Sequence, residues 1–248
     1  MDKFTNFVFP MAGEGSRFKL GGIYTPKPLL KLSGRYFFEI AANALVKESG
    51  DHNLVFVVLQ EHIHDFDIHK TILDVFPKAE IVALDETTSG SAETAYLGIQ
   101  AAKLEIGSLI IADCDQWLKG SQLREMFEAL NEEKIDIGLP VFSSENPEFS
   151  YVKRETDLRI IDIVEKDVIS KKAVAGCYGF RSEALFNQVY ESFVDWKGER
   201  YLSEIVSQGI KHDLKVYSFD LEAHVSFGTP ADYASAQLSN DLLGALND

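Results

Sequence analysis

Short apolar runs rich in Val, Ile and Phe alternate with helix-length amphipathic stretches through the first half of the chain. That rhythm admits few folds, because strands separated by helices pair through crossover connections, which makes the pairing parallel and covers both faces of the sheet. Strands are expected at residues 4–11, 54–59, 81–84, 108–112 and 135–141, with helices at 37–47, 63–76, 92–103 and 121–131 between them. Beyond Phe142 the rhythm changes. Short strands at 151–155, 159–164 and 174–180, the last leading into a helix from Ser182, suit antiparallel pairing. A helix from Tyr201, a strand at 214–219 and a final helix opening at Pro230, with Thr229 as its N-cap, complete the reading. The expected class is α/β: a Rossmann-like, doubly wound, mostly parallel but mixed sheet with a small antiparallel extension. At 248 residues the chain is expected to form one domain, with halves 1–142 and 143–248.

The formal net charge of -15 argues against nucleic acid as a partner, since gripping a phosphate backbone requires a basic face. Any triphosphate must therefore meet a local cluster of cations. Cys114 and Cys177 lie on separate apolar segments without CxxC spacing or a neighbouring His, so reduced, packed thiols are expected. The apolar stretch near the N-terminus is short and ends in a Gly-rich turn, unlike a signal peptide. Charged residues interrupt every later apolar run before it could span a bilayer. The expectation is a cytoplasmic protein without a membrane partner.

The first strand runs straight into AGEGSRF, where Gly13 and Gly15 let the backbone turn tightly and bring N–H groups close to an anion. Gly pairs also occur in ordinary turns after strands. The loop departs from the dinucleotide fingerprint GxGxxG, because Phe18 takes the place of the third Gly and Arg17 precedes it. In TPKPLLKL, Pro26 and Pro28 restrict the backbone on both sides of Lys27, so this lysine is aimed. The bland alternatives are a solvent-exposed lysine between turn prolines and an Arg17 that pairs with a nearby acid.

A second chemical signal follows the strand at 108–112, where DCDQ places Asp113 and Asp115 on one face. Two carboxylates at that spacing can hold a hard divalent cation through oxygen while leaving positions for water and phosphate. The alternative is a turn in which an Asp caps the helix near Ser121.

MAGEGSRF followed by PKPLLKLSG resembles the signature of the nucleoside-diphosphate-sugar pyrophosphorylases, the sugar-phosphate nucleotidylyltransferase family. The resemblance implies a fold of the nucleotide-sugar transferase type whose antiparallel extension binds the acceptor. It implies a Gly-rich loop, here Ala12, Gly13, Glu14, Gly15 and Ser16, around a nucleoside triphosphate, with Arg17 and Lys27 on its phosphates. It further implies magnesium, or manganese, at Asp115, with Asp113 assisting. TTSGSAETAYLGIQ is similar to a loop lining the nucleobase pocket, which nominates Gly90 and Ser91; Gln60, ending the second strand, is a further candidate. IVEKDVISKKAVAGCYGF resembles the acceptor half, which nominates Glu165, Lys166 and Gly176, and Glu199 in KGERYLSEI matches an acid that binds acceptor hydroxyls, with Glu204 nearly as eligible.

In SFGTPADY, Ser226 stands where many family members carry a second metal-binding Asp, although Gly228, Thr229 and Pro230 still match. The stretch from Ser150 to the EKDVIS run looks like a subgroup associated with capsule and surface polysaccharide. The implied reaction transfers NMP from an NTP to a small phosphorylated acceptor, a sugar phosphate or a related phospho-metabolite, and releases pyrophosphate. Two alternatives stand beside it: a glycosyltransferase that uses a nucleotide sugar, and a non-catalytic nucleotide-sensing subunit. The sequence leaves a homo-oligomer open.

Overall fold

Strand β1 (Phe4–Pro10) sends Val8 into one core and Phe7 and Phe9 into another, which is the period-2 alternation of a strand covered on both faces. Burying each of these Phe rings stabilises the fold by roughly 1.5–3 kcal/mol. The computed structural model describes residues 3–193 and 198–247. After β1 come a short helix α1 (Ser16–Leu20), a 3-10 turn at Lys27–Leu29, a hairpin of β2 (Lys31–Leu32) and β3 (Arg35–Tyr36), and α2 (Phe37–Val46). Then follow β4 (His52–Leu59), α3 (Gln60–Phe66), α4 (Ile68–Val75), β5 (Glu80–Leu84), α5 (Ser91–Ala101) and β6 (Gly107–Ala112). The middle of the chain forms β7 (Gln116–Lys119), α6 (Gln122–Asn131), β8 (Ile137–Ser143), β9 (Tyr151–Arg154), β10 (Ile160–Val164), β11 (Lys172–Val174) and β12 (Cys177–Phe180). The last described elements are α7 (Glu183–Glu191), α8 (Leu202–Lys211), β13 (Val216–Asp220), β14 (Ala223–Ser226), α9 (Pro230–Ala236) and α10 (Asn240–Asn247).

Ten strands make one mixed sheet in the order β10-β9-β11-β8-β12-β6-β1-β4-β5, with β13 beside β8. The expected α/β class holds. β6, β1, β4 and β5 pair in parallel, and β12 enters antiparallel to β6. β8, β11, β9 and β10 continue antiparallel, as the changed rhythm beyond Phe142 requires. Helices α5, α7 and α8 cover one face through Ala92, Phe186 and Ile205, while α2, α4 and α6 cover the other through Phe38, Ile72 and Phe127. A third, smaller core joins Phe18 and Phe37 to Trp117, Phe227, Ala236 and Leu242, so α9 and α10 pack beside α1 and α2.

Several expectations are corrected. The helix expected at 63–76 is two, because Asp67 adopts φ 50° between α3 and α4, a conformation that Asp tolerates better than most residues. The strand expected at 174–180 is broken at Gly176, φ 57°, into β11 and β12. An Asp does not cap the helix near Ser121, since β7 separates Asp115 from α6. The strands β7 and β14 pair with each other in a separate two-stranded sheet that periodicity did not reveal. At the C-terminus, Thr229 caps α9 as expected: its Oγ1 accepts from the Asp232 N–H at 3.1 Å, with Pro230 in the first turn. Cys114 and Cys177 are free and buried. Among the described residues no helix is long and apolar enough to cross a membrane.

Candidate active site

The loops after β1, β5 and β6 open onto one cleft of about 590 Å³ at the carboxyl ends of the parallel strands, where open α/β sheets present their ligands. Its roof is the Gly-rich loop. Ala12 is buried, Gly13 and Glu14 are exposed, Gly15 turns the chain with φ 66°, and Ser16 and Arg17 begin α1. Phe18 explains the departure from the dinucleotide fingerprint: it is fully buried and meets Phe37 and Tyr233 edge-on, pinning α1 to the third core.

Lys27 heads the 3-10 turn after Pro26, and its Nζ reaches Asp115 Oδ2 at 2.7 Å. Burial disfavours the ammonium, yet the charge of Asp115, reinforced by Asp113, wins and lifts the Lys27 pKa above the ordinary lysine range. Asp113 sits beside it in the turn after β6, its N–H donating to Gly176 O at 2.8 Å. Burial first, then the neighbouring Asp115, pushes the Asp113 carboxyl up to about 7, against the pull of Lys27. Gly176 is required here twice over, by its positive φ and because a Cβ would overlap Gln116 Nε2 and Asp113 Oδ2.

Gly90 and Ser91 open α5 at the edge of the cleft. A side chain at Gly90 would strike the backbone of Arg200, and the two segments are strapped together by Arg200 N–H to Ser89 O at 2.8 Å and Ala92 N–H to Arg200 O at 3.0 Å. Arg200 also pairs with Glu93 at 2.8 Å. The loop nominated for the base is thus tied to the segment carrying Glu199.

Across the cleft stand the acceptor candidates. Glu165 Oε2 accepts from the hydroxyls of Ser203, at 2.7 Å, and Ser150. Lys166 is turned into the cleft by a backbone φ of 54°; its Nζ donates to Tyr201 Oη at 2.8 Å, and Tyr201 in turn donates to Glu199. Burial opposes the charge on Lys166, but Tyr201, Glu199 and Glu165 raise its pKa above the ordinary value.

The structure therefore gathers Ala12 to Arg17, Lys27, Gly90, Ser91, Asp113, Asp115, Glu165, Lys166, Gly176 and Glu199 around one space. Gln60 is the exception: it is exposed at the start of α3 and lies outside the cleft lining, because the chain turns into a helix there. Glu204, the other acid weighed beside Glu199, also lies outside this lining, and its carboxylate accepts from the Tyr201 N–H instead. Residues that the sequence did not single out complete the lining, including Gln116, Glu148, Tyr178 and Tyr201. Glu148 stands 3.6 Å from Arg17 across the mouth.

The donor set suits a hard divalent cation. Asp115 is buried and Asp113 partly so, and a cation would relieve the mutual repulsion of these neighbouring carboxylates, a demand that Lys27 meets only in part. No group of three or more His, Cys, Asp or Glu able to enclose a metal occurs among the described residues. One or two carboxylates with water and phosphate oxygens completing the shell is the pattern magnesium favours.

No curated protein matches the chain. Among solved structures, a nucleoside-diphosphate-sugar pyrophosphorylase from Vibrio cholerae RC9 superposes with a TM-score of 0.80 at 24% identity, covering 94% of this chain and 100% of that one. An inositol-1-phosphate CTP transferase from T. maritima also gives a TM-score of 0.80, at 18% identity, covering 100% of this chain and 98% of that one. These likenesses show a shared fold. Residues 11–241 match the family of nucleotidyl transferases, a span that takes in all the cleft-lining residues but Pro10: the chain belongs to the nucleotidyl transferase family.

Proposed function

We propose that the cleft transfers a nucleoside monophosphate from a nucleoside triphosphate to the phosphate of a small acceptor. An acceptor phosphate oxygen attacks the α-phosphorus in line and forms the new P–O bond. The bond from that phosphorus to the α,β-bridging oxygen breaks, and pyrophosphate leaves with the electron pair. An acceptor phosphate is already an anionic nucleophile, so the chain need supply no general base, only position and opposing charge. Arg17 and Lys27 face the triphosphate; Lys166 holds the acceptor phosphate; Glu165 and Glu199 accept from its polar groups. Gly90 and Ser91 border the base. Asp115, with Asp113, would hold a magnesium or manganese ion, which would supply charge neutralisation on the triphosphate.

The observation that carries this reading is Lys27, aimed by its flanking prolines and set 2.7 Å from Asp115 beneath the Gly-rich loop. A glycosyltransferase that uses a nucleotide sugar would leave that lysine without a task, and a sensing subunit has no need to retain three cations around one cleft. A sugar phosphate or related phospho-metabolite is the acceptor class, and the cytoplasmic synthesis of activated precursors for surface polysaccharide is the setting. The test is pyrophosphate release with magnesium, screening the common nucleoside triphosphates against sugar 1-phosphates and other small phosphorylated metabolites. Acceptor-dependent release supports transfer. Release of free nucleotide from nucleotide sugars, without pyrophosphate, would replace it with glycosyl transfer.

A further inference from the structure

Behind the acidic pair runs a row of hydrogen bonds with a single direction. His224, on β14, stacks on Phe142 with ring centroids 3.8 Å apart and meets Phe149 at 5.9 Å. Burial holds the His224 imidazole below the ordinary histidine pKa, so the ring is neutral near pH 7. Its Nε2 bonds Gln116 Oε1. An amide oxygen only accepts, so Nε2 carries the proton. Gln116, 7% exposed, then turns its Nε2 toward Asp113 Oδ2 at 3.4 Å. Donors thus point from His224 through Gln116 to Asp113. With the amide turned over, its oxygen would face the carboxylate and set two acceptors against each other. The carboxylate thus selects the end of Gln116 that it meets, and His224, donating to the other end, holds the amide there.

We infer that His224 and Gln116 are positioning residues, holding the Asp113 carboxylate in the orientation from which it helps bind the divalent cation. The inference rests on the reading of Asp113 as a cation ligand. It gives β14 a part in the site although Ser226 brings no carboxylate there. Outer-shell hydrogen bonds of this kind orient ligands, and their loss weakens metal binding roughly 10- to 100-fold.

Two substitutions separate the hydrogen bond from the packing. His224→Phe keeps a ring for Phe142 but has no donor, whereas His224→Gln keeps a donor but no ring. Mn2+ binding to the purified full chain, followed by electron paramagnetic resonance, is measured alongside thermal melting. The expected result is a His224→Phe protein that melts near the wild-type temperature but binds Mn2+ roughly 10-fold or more weakly, and a His224→Gln protein that melts lower yet keeps most of the affinity. The reverse ranking means that His224 serves packing alone and overturns the inference, as does wild-type affinity in both variants. Failure of the wild-type chain to bind Mn2+ overturns the cation reading of Asp113 and this inference with it, a result recognisable before any substitution is made.

Discussion

Two cation–carboxylate pairs line the cleft, and they are built differently. Lys27 and Asp115 meet at 2.7 Å with side chains 30% and 11% exposed, whereas Arg17 and Glu148 stand 3.6 Å apart at 61% and 56%. The first is fixed from both ends, by the prolines around Lys27 and by the turn after β6, where Phe227 N–H donates to Asp115 O at 2.9 Å. The second joins an exposed helix start to a loop and is screened by water, so it contributes about 0–1 kcal/mol. A rigid pair can be preorganised for charge that develops during reaction, while a loose one exchanges its partner as substrate arrives. In the proposed reaction the inner pair is therefore assigned to the chemical step and the outer pair to capture.

The most severe break is Lys27→Met, which should cut kcat on the order of 10²–10³-fold while far-UV circular dichroism stays native. Lys27→Arg should rescue little, because a planar guanidinium does not fit a place shaped for a point charge. Next comes Gly176→Ala. Forcing a Cβ into the left-handed conformation beside Asp113 is expected to destabilise the chain by roughly 1–3 kcal/mol, read as a lower denaturation midpoint with reduced turnover. Arg17→Ala removes one exposed cation and should raise KM for the nucleotide roughly 10-fold, about 1.4 kcal/mol, with kcat nearly kept; its KM should also depend less on salt than that of the wild type. Smallest is Glu148→Gln, which frees Arg17 and should lower the nucleotide KM by no more than about 5-fold. Equal losses in kcat from Lys27→Met and Arg17→Ala would erase the distinction between the pairs.

The members of the inner pair were legible in the sequence one by one, since two prolines around a lysine and two aspartates after a buried strand are local signals, but their contact across 88 positions was not. The parallel strands were legible too, because apolar runs such as FTNFVFP carry their own period. His224 and Glu148 were not: each is placed through contacts between segments far apart in sequence, as when β14 pairs with β7 and sets His224 opposite Leu118, behind Gln116. Gln60 shows the converse. Ending a strand predicted a place at the cleft, but α3 begins at once and carries the side chain outward. Asp67 interrupts a continuous helical pattern through its own φ of 50°, which periodicity does not register.

The pairing of β14 with β7 has a consequence for biosynthesis. Strands β1, β4, β5 and β6, Lys27 and both aspartates leave the ribosome well before the strand that buttresses them, with Phe227 and α9 behind it. Domains begin to fold as they emerge, so the nascent chain holds a sheet without a finished cleft floor. Until β14 has been made, the turn that carries Asp115 lacks the Phe227 N–H that holds it, so the cleft is finished only after the sheet that bears it.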